Sequence, residues 1–163
     1  MNLTIKRIVA SATVAAAFAL GSAAQAEDWK PVGQFGAFAV GKVYPIEKGH
    51  FYWVGEYSGT FFNDKGKGSL FDGAGVKCPG FTDLDTNIKK GKAAGYCVFS
   101  DPAGDQAYAS WQGEGDGVTY NGTFEYTGGT GKYKGITGQN TFTGHIQVNW
   151  PDGTSTAYAT WNR

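Results

Sequence analysis

Apolar and polar residues alternate with a period of two through almost the whole chain after residue 26. This period places successive side chains on opposite faces of a strand, whereas an amphipathic helix needs a period near 3.6. The chain also has 26 glycines among its 163 residues, far above the usual level of about 7%, and it is rich in aromatics. That combination is typical of a β protein with many turns and bulges.

Eight strands follow from this alternation, and residues 101–104 and 151–153 between them combine proline with glycine, as tight turns do. The predicted strands cover residues 34–44, 50–62, 69–77, 93–100, 106–114, 119–127, 139–150 and 154–162. Eight short strands joined mostly by short turns predict an all-β fold, either an antiparallel barrel or a sandwich.

The first 26 residues have the three parts of a secretory signal peptide. Lys6 and Arg7 precede an apolar run over residues 8–20, and Ala24 and Ala26 are the small residues of a cleavage site. The apolar run is shorter than the roughly 20 residues of a membrane-spanning helix. We therefore expect cleavage after Ala26, a single β-barrel domain over residues 27–163, and a periplasmic or secreted location.

The net charge and the cysteine content of the chain limit which partners, disulfides and metal sites are expected. Residues 27–163 carry two more acidic than basic side chains and no apolar stretch that spans a membrane, so neither nucleic acid nor a membrane span is expected. Cys78 and Cys97 are predicted to form one disulfide in an oxidising compartment, the alternative being two buried free thiols. The chain has neither a CxxC pair nor the ligand spacing of a zinc site.

The chain repeats itself in two places. AYASWQ at residues 107–112 matches AYATWN at 157–162, and residues 58–75 match residues 121–138 in their glycines. The two offsets differ, which predicts an insertion in the first half between Gly75 and Val98. We expect the halves of this pseudo-repeat to share one backbone geometry, and the disulfide to attach a long irregular inserted loop to the sheet.

The stretch TGGTGKYKGITG at residues 127–138 has the glycines of a phosphate-binding loop without its spacing. A Walker A motif would need glycine at Tyr126 and a hydroxyl residue at Tyr133. A dinucleotide fingerprint would need one residue fewer between the glycines and a helix after them. The glycines are therefore interpreted as structural residues of a long turn or bulge at a barrel rim.

The same stretch resembles the GGTG-[FY]-x-G-x-x-G signature of the allene oxide cyclase and dirigent barrels and of similar secreted bacterial proteins. The resemblance implies a single eight-stranded antiparallel β-barrel. Members of that family cyclise or orient small hydrophobic plant compounds. Their pocket residues lie outside the matched stretch, so the resemblance assigns no catalytic residue to this chain.

Candidate catalytic groups are few. His145 is predicted to face outward with Thr143, His50 lies in a turn, and Glu56 and Glu125 alternate away from the aromatic faces of their strands. Residues 83–87 begin like a calcium loop, and Asp101 and Asp105 flank a turn. The rest of the calcium pattern is absent, with Ile88 at the glycine position and Ala94 at that of the closing glutamate. No metal, cofactor or catalytic set is predicted, and a non-enzymatic role is favoured.

Aromatic residues spaced by glycines form the remaining candidate site. The residues proposed to contact a small hydrophobic molecule are Trp53, Tyr57, Phe61, Tyr120, Phe124 and Tyr126. An eight-stranded barrel either packs its interior or holds one small ligand, so plain core packing is the alternative. Three functions stay open: an exported barrel that binds an apolar ligand, an isomerase or cyclase, and an exported protein-interaction or inhibitor barrel.

Overall fold

The computed structural model describes residues 29–163, and the predicted signal peptide lies outside them. These residues form eight strands and one short 3₁₀ helix, Gly131–Tyr133. The strands are β1 Gly33–Glu47, β2 His50–Asn63, β3 Gly75–Asp85, β4 Lys90–Ser100, β5 Gln106–Gly115, β6 Thr119–Gly129, β7 Gln139–Asn149 and β8 Ser155–Trp161.

The strands form one closed antiparallel barrel in sequence order, and β8 pairs with β1 to complete it. The prediction of an all-β, eight-stranded antiparallel barrel is therefore confirmed. Because the barrel is closed, each of the strands β2 to β6 is hydrogen-bonded to a neighbouring strand along both of its edges. Within residues 29–163 there is no helix of the length and hydrophobicity that a membrane crossing requires.

The third strand lies further along the chain than the alternation predicts. Residues 69–74 form turns, with Phe71 in the left-handed region at φ 59°, and the strand is Gly75–Asp85. Pro79 and the acidic residues near the end of this segment are uncommon in strands, so the sequence does not predict a strand there. The ladder to β4 has paired residues on either side of Pro79, at Lys77 and Gly80, and the proline lacks the N–H that a ladder bond needs.

Aromatic side chains inside the barrel lie flat across glycines of the preceding strands. Trp111 on β5 is in register with Gly95 on β4, which is in register with Gly80 on β3. A Cβ added to Gly80 would be 2.6 Å from the Trp111 ring, so the ring needs this glycine. The same arrangement occurs in the row Tyr120, Gly115, Gly91 and in the row Phe142, Gly122, Gly113.

One end of the barrel is closed by two glycine-rich loops, residues 64–74 after β2 and residues 130–138 after β6. Phe71 of the first loop stacks on Tyr133 of the second with ring centroids 4.9 Å apart. Both rings are buried in the main hydrophobic core, together with Ile136 and Trp161. The glycine-rich stretch at residues 127–138, whose glycines are like those of a phosphate-binding loop, therefore forms one half of a plug. The plug closes this end of the barrel, and residues 64–74 form its other half.

The two repeated halves share strand order more than backbone geometry. Both loops of the repeat follow equivalent strands, and Gly68 and its counterpart Gly131 both have positive φ. Gly66 has positive φ, whereas its counterpart Gly129 does not, so the expectation of one shared geometry is only partly met. The strands β5 and β8, which carry the AYA-W match, run in opposite directions because an odd number of strand reversals separates them.

The Cys78–Cys97 disulfide is present, as predicted, but its structural context differs from the prediction. The inserted segment is no irregular loop: it belongs to the β3–β4 hairpin, and the disulfide joins these two adjacent strands. The insertion adds one strand to the first half, which accounts for the reversed direction of β5 relative to β8. Pro79 and the Asp83–Asp85 end of β3 gave this hairpin the composition of a loop.

Gly131 is held against the β4–β5 turn. The Asp105 carboxylate accepts a hydrogen bond from the Lys132 N–H at 3.1 Å, and the Gln106 N–H donates to the Thr130 hydroxyl oxygen at 2.9 Å. A Cβ on Gly131, whose φ is 49°, would lie 1.7 Å from an Asp105 carboxylate oxygen. Any side chain at this position would therefore displace the carboxylate that fixes the loop.

We predict that Gly131→Ala lowers the free energy of unfolding by at least about 2 kcal/mol, measured by urea denaturation. The matched control is Gly135→Ala, which has φ 81° and open space around its Cα. In this control the substitution strains only the backbone, so the free energy of unfolding should fall by about 1 kcal/mol. Equal losses in the two variants would contradict a specific role for the Asp105 contact.

Candidate functional site

The barrel interior is filled at the plugged end and hollow in its middle. A cavity of about 100 Å³, here called the chamber, lies above the Trp161 layer. The large side chains around it are Phe35, Tyr57, Trp111, Tyr120, Phe124 and Phe142. Almost all of the surface they present to the chamber is carbon, so the chamber suits an apolar occupant.

A second cavity of about 180 Å³, here called the mouth, opens at the opposite end from the plug. Its rim carries the aromatic residues Phe51, Trp53 and Trp150 and the polar residues Asn149 and Ser155. Four residues border both cavities and form a septum between them. These are Tyr57, Thr82, Tyr120 and Ile146. A molecule that enters through the mouth must therefore pass this septum to reach the chamber.

Small residues explain why the chamber is hollow. Ala37 on β1 is in register with Ala157 on β8, and both border the chamber, as do Ala93 and Ala159. Methyl side chains from these strands cannot meet across the barrel, whereas the aromatic rings at the plugged end do. The Cys78–Cys97 disulfide also borders the chamber, and it holds the β3–β4 wall together.

Two buried polar atoms on the chamber residues have no hydrogen-bond partner. These are the Trp111 indole Nε1 and the Tyr120 hydroxyl oxygen. Tyr120 is only 7% exposed, and its hydroxyl lies 2.6 Å from the position that a Cβ on Gly91 would occupy. A buried polar group without a partner costs about 1–3 kcal/mol. A ligand that accepts a hydrogen bond would relieve part of this penalty.

The tyrosines of the septum are uncharged at neutral pH. Burial raises the pKa of Tyr120 to about 12, and burial likewise raises the pKa of Tyr57, although a hydrogen bond with Thr82 opposes that shift. No carboxylate, lysine or arginine of residues 29–163 borders the chamber. Apart from the histidine His145, the polar groups available there are therefore neutral hydrogen-bonding groups.

The six aromatic residues proposed from the sequence are divided between the cavities and the packed core. Tyr57, Tyr120 and Phe124 border the chamber, and Trp53 borders the mouth, where its indole donates to the Gly153 carbonyl at 3.1 Å. Phe61 and Tyr126 instead belong to the packed end. Phe61 stacks on Trp161 at 4.0 Å, and Tyr126 packs against Phe124 at 5.7 Å.

Several residues that border the cavities are absent from the sequence-based set. Trp111 is the main one, and in the sequence it stands out only as part of the repeated AYASWQ segment. Period-2 alternation from Ala107 and Ala109 would have placed it on the inner face. Phe142 and Ile146 follow the same pattern on β7, but only the closed register brings them beside the Trp111 wall.

Of the histidines and carboxylates considered as catalytic groups, His145 borders the chamber and the others do not. The His145 ring stacks on Tyr158 at 4.8 Å, and Tyr158 also borders the chamber, although both residues alternate outward in their strands. His50 contacts Asp83 at the outer rim, with Nε2 and Oδ1 2.6 Å apart. Glu56 lies 3.5 Å from the Lys77 ammonium on the outer face.

The aspartate side chains in the turns form contacts with other groups of the protein. The Asp101 carboxylate forms an ion pair of 2.6 Å with Lys132 of the plug loop, and this contact is the main reason that its pKa is lowered. Asp85, within the stretch 83–87 that begins like a calcium loop, accepts a hydrogen bond from the Asn87 N–H. Across residues 29–163 no group of three or more histidine, cysteine, aspartate or glutamate side chains is placed to hold a metal ion.

Comparisons with protein families, with curated proteins and with solved structures find no significant match to this chain.

We predict that Tyr126→Phe and Tyr120→Phe each raise the free energy of unfolding by about 1 kcal/mol, because each removes a buried hydroxyl without a partner. Tyr108→Phe is the matched control. Its hydroxyl donates to the Gln106 side-chain oxygen at 2.9 Å, so its removal should instead lower stability by about 1 kcal/mol. Chemical denaturation at neutral pH measures all three. Destabilisation by the first two substitutions would show that their hydroxyls are satisfied in solution.

We predict a loss of stability as the pH rises above about 6.5, the ordinary pKa of histidine. The hydrogen bond with Asp83 is the largest cause of the raised pKa of His50, and Glu47 and Asp85 add to it. A raised pKa in the folded state stabilises the protein below the ordinary value of 6.5, and that contribution disappears as the pH passes the folded value. His50→Gln should flatten this step in melting temperature. An unchanged pH profile would contradict the assignment.

Proposed function

We propose that this chain is an exported β-barrel that binds one small, uncharged and largely apolar molecule inside the barrel. The observation that carries the proposal is the hollow apolar chamber next to an open mouth. Natural domains of this size normally fill their interiors to crystal-like density. Here the alanines leave the middle of the barrel hollow although large aromatic residues surround it.

The volumes limit the size of the ligand. An apolar cavity of about 150 Å³ is sufficient to hold benzene. The chamber of about 100 Å³ and the mouth of about 180 Å³ together approach the lower end of the range for ligand pockets, roughly 300 Å³. The proposed ligand therefore places a compact apolar part in the chamber, and the rest of it extends past the septum into the mouth.

The unpartnered donors suggest the polarity of the ligand. The Trp111 N–H can only donate, and the neutral Tyr120 hydroxyl can donate as well as accept. A ketone, ester or ether oxygen would match these groups, whereas a carboxylate would have no cation beside it in the chamber. The ligand is thus proposed to be neutral and to carry at least one hydrogen-bond acceptor.

Export is proposed from the signal-peptide pattern of residues 1–26. The Cys78–Cys97 disulfide supports it, since such bonds persist mainly in oxidising compartments. Kinship with the allene oxide cyclase and dirigent barrels is likewise a proposal, supported by the GGTGKYKGITG stretch and by the eight antiparallel strands. Ligand binding is preferred to a cyclase activity because no carboxylate, lysine or arginine of the described residues borders the chamber, and its one histidine, His145, alternates outward in its strand.

The proposal is tested by native mass spectrometry of the protein purified from its own host. We expect a bound small molecule on the wild-type chain. Ala157→Leu should abolish the adduct because it adds a side chain inside the chamber, without the usual loss of stability from overpacking. The matched control, Thr156→Leu, changes the next residue on the outward side of the strand and should keep the adduct.

Two results would contradict the proposal. In the first, the wild-type protein has the mass of the chain alone, and its NMR chemical shifts do not change when benzene is added. The other is a strong loss of stability in Ala157→Leu, because that would mean that the chamber is already filled by its own side chains.

A further inference from the structure

A separate groove of about 670 Å³ lies on the outer face of the barrel. It is bordered by residues of six strands, from β2 to β7, most of them with outward-facing side chains. We call it the outer groove and define it by Tyr52, Phe81, Tyr96, Gln112, Glu125 and Gln139. Among the described residues it shares only Trp111 with the chamber, and it carries amide and carboxylate side chains that the chamber lacks.

The groove follows a row of glycines. Gly95, Gly80 and Gly55 are in register on β4, β3 and β2, and all three border the groove. The backbones approach closely here, since a Cβ on Gly95 would lie 2.1 Å from the Pro79 carbonyl oxygen. Because neighbouring strands are about 4.8 Å apart, a groove across five or six strands is roughly 20 Å long. That length suits an extended molecule.

The two ends of the groove differ in polarity. At the β2–β4 end Tyr52 stacks on Phe81 with ring centroids 5.4 Å apart, and Tyr96 beside them is 65% exposed. At the β5–β7 end the outward side chains are amides, hydroxyls and the carboxylate of Glu125. The amides and hydroxyls are those of Ser110, Gln112, Thr123 and Gln139. These side chains supply hydrogen-bond donors and acceptors to a ligand.

The charge of the groove argues against an anionic polymer, and the pairing of its strands argues against a peptide that would add to the sheet as a strand. Glu125 is the only charged residue among those of 29–163 that border the groove, so an anionic polymer would meet repulsion and no cation. A peptide that adds to a sheet as an extra strand needs an open edge. The strands β2 to β6 are paired on both sides, so the groove offers no such edge.

We propose that the outer groove binds a neutral oligosaccharide. A sugar ring has an apolar C–H face that can pack on an aromatic ring, and a rim of hydroxyls that bond to amides and carboxylates. Tyr52, Phe81 and Tyr96 supply the stacking surfaces, and Tyr keeps a polar hydroxyl at its tip. Gln112, Gln139 and Glu125 supply the hydrogen-bonding groups.

The test is isothermal titration of the wild-type protein with three neutral hexasaccharides: cellohexaose, chitohexaose and maltohexaose. At least one should bind with a dissociation constant below about 1 mM. Tyr96→Ala should weaken that binding by about tenfold or more, because it removes the most exposed stacking ring. Tyr96 is exposed and makes no side-chain hydrogen bond to residues 29–163, so this variant should fold normally.

The controls separate this site from others. Phe62→Ala removes an outward ring that is 59% exposed but lies outside the groove, and it should leave sugar binding unchanged. Ala157→Leu, which fills the chamber, should also leave it unchanged, so sugar binding is independent of the interior ligand. The proposal is overturned if none of the three sugars binds. It is also overturned if only a hexalysine peptide binds and Glu125→Gln abolishes that binding.

Discussion

The contact between an aromatic ring and the glycines of the strands before it is the interaction on which the rest of this barrel depends. The Trp111 ring can lie against the wall only because Gly95 and Gly80 have no side chains in its path. In the other two rows Tyr120 and Phe142 lean in the same direction around the barrel. Rings that lie along the wall cover large areas of sheet while leaving the barrel axis open.

The hollow interior follows from this packing. The rings cover the wall without meeting across the chamber, and the alanines of β1, β4 and β8 add little volume there. The outer groove crosses the same part of the wall, since Gly55, Gly80 and Gly95 of the row that accommodates Trp111 also border the groove.

The plug covers the packed end of the barrel. Filling only one end with aromatic residues requires a cover, and the loops after β2 and β6 provide it through Phe71 and Tyr133. The ion pair between Lys132 and Asp101, and the carboxylate of Asp105 beneath Gly131, attach this cover to the β4–β5 turn. The glycine-rich stretch is thus a structural element whose lysine contributes to the attachment.

Local patterns predicted most of the fold because alternation and turn chemistry are properties of short segments. The strand count, the disulfide and the inward faces around Tyr57 and Phe124 could all be predicted in this way. The third strand could not, since Pro79 and its acidic end have the composition of a loop. The chamber, and the role of Trp111 in it, depend on register between distant strands, which a single sequence does not specify.

The central claim, that the barrel is hollow around Trp111 and Tyr120, is tested most directly by a crystal structure determined under xenon pressure. Apolar cavities of this kind bind xenon. The account predicts a xenon atom between the rings of Trp111 and Tyr120 and the alanine wall at Ala157. Side chains filling that space, with no xenon bound there, would contradict it.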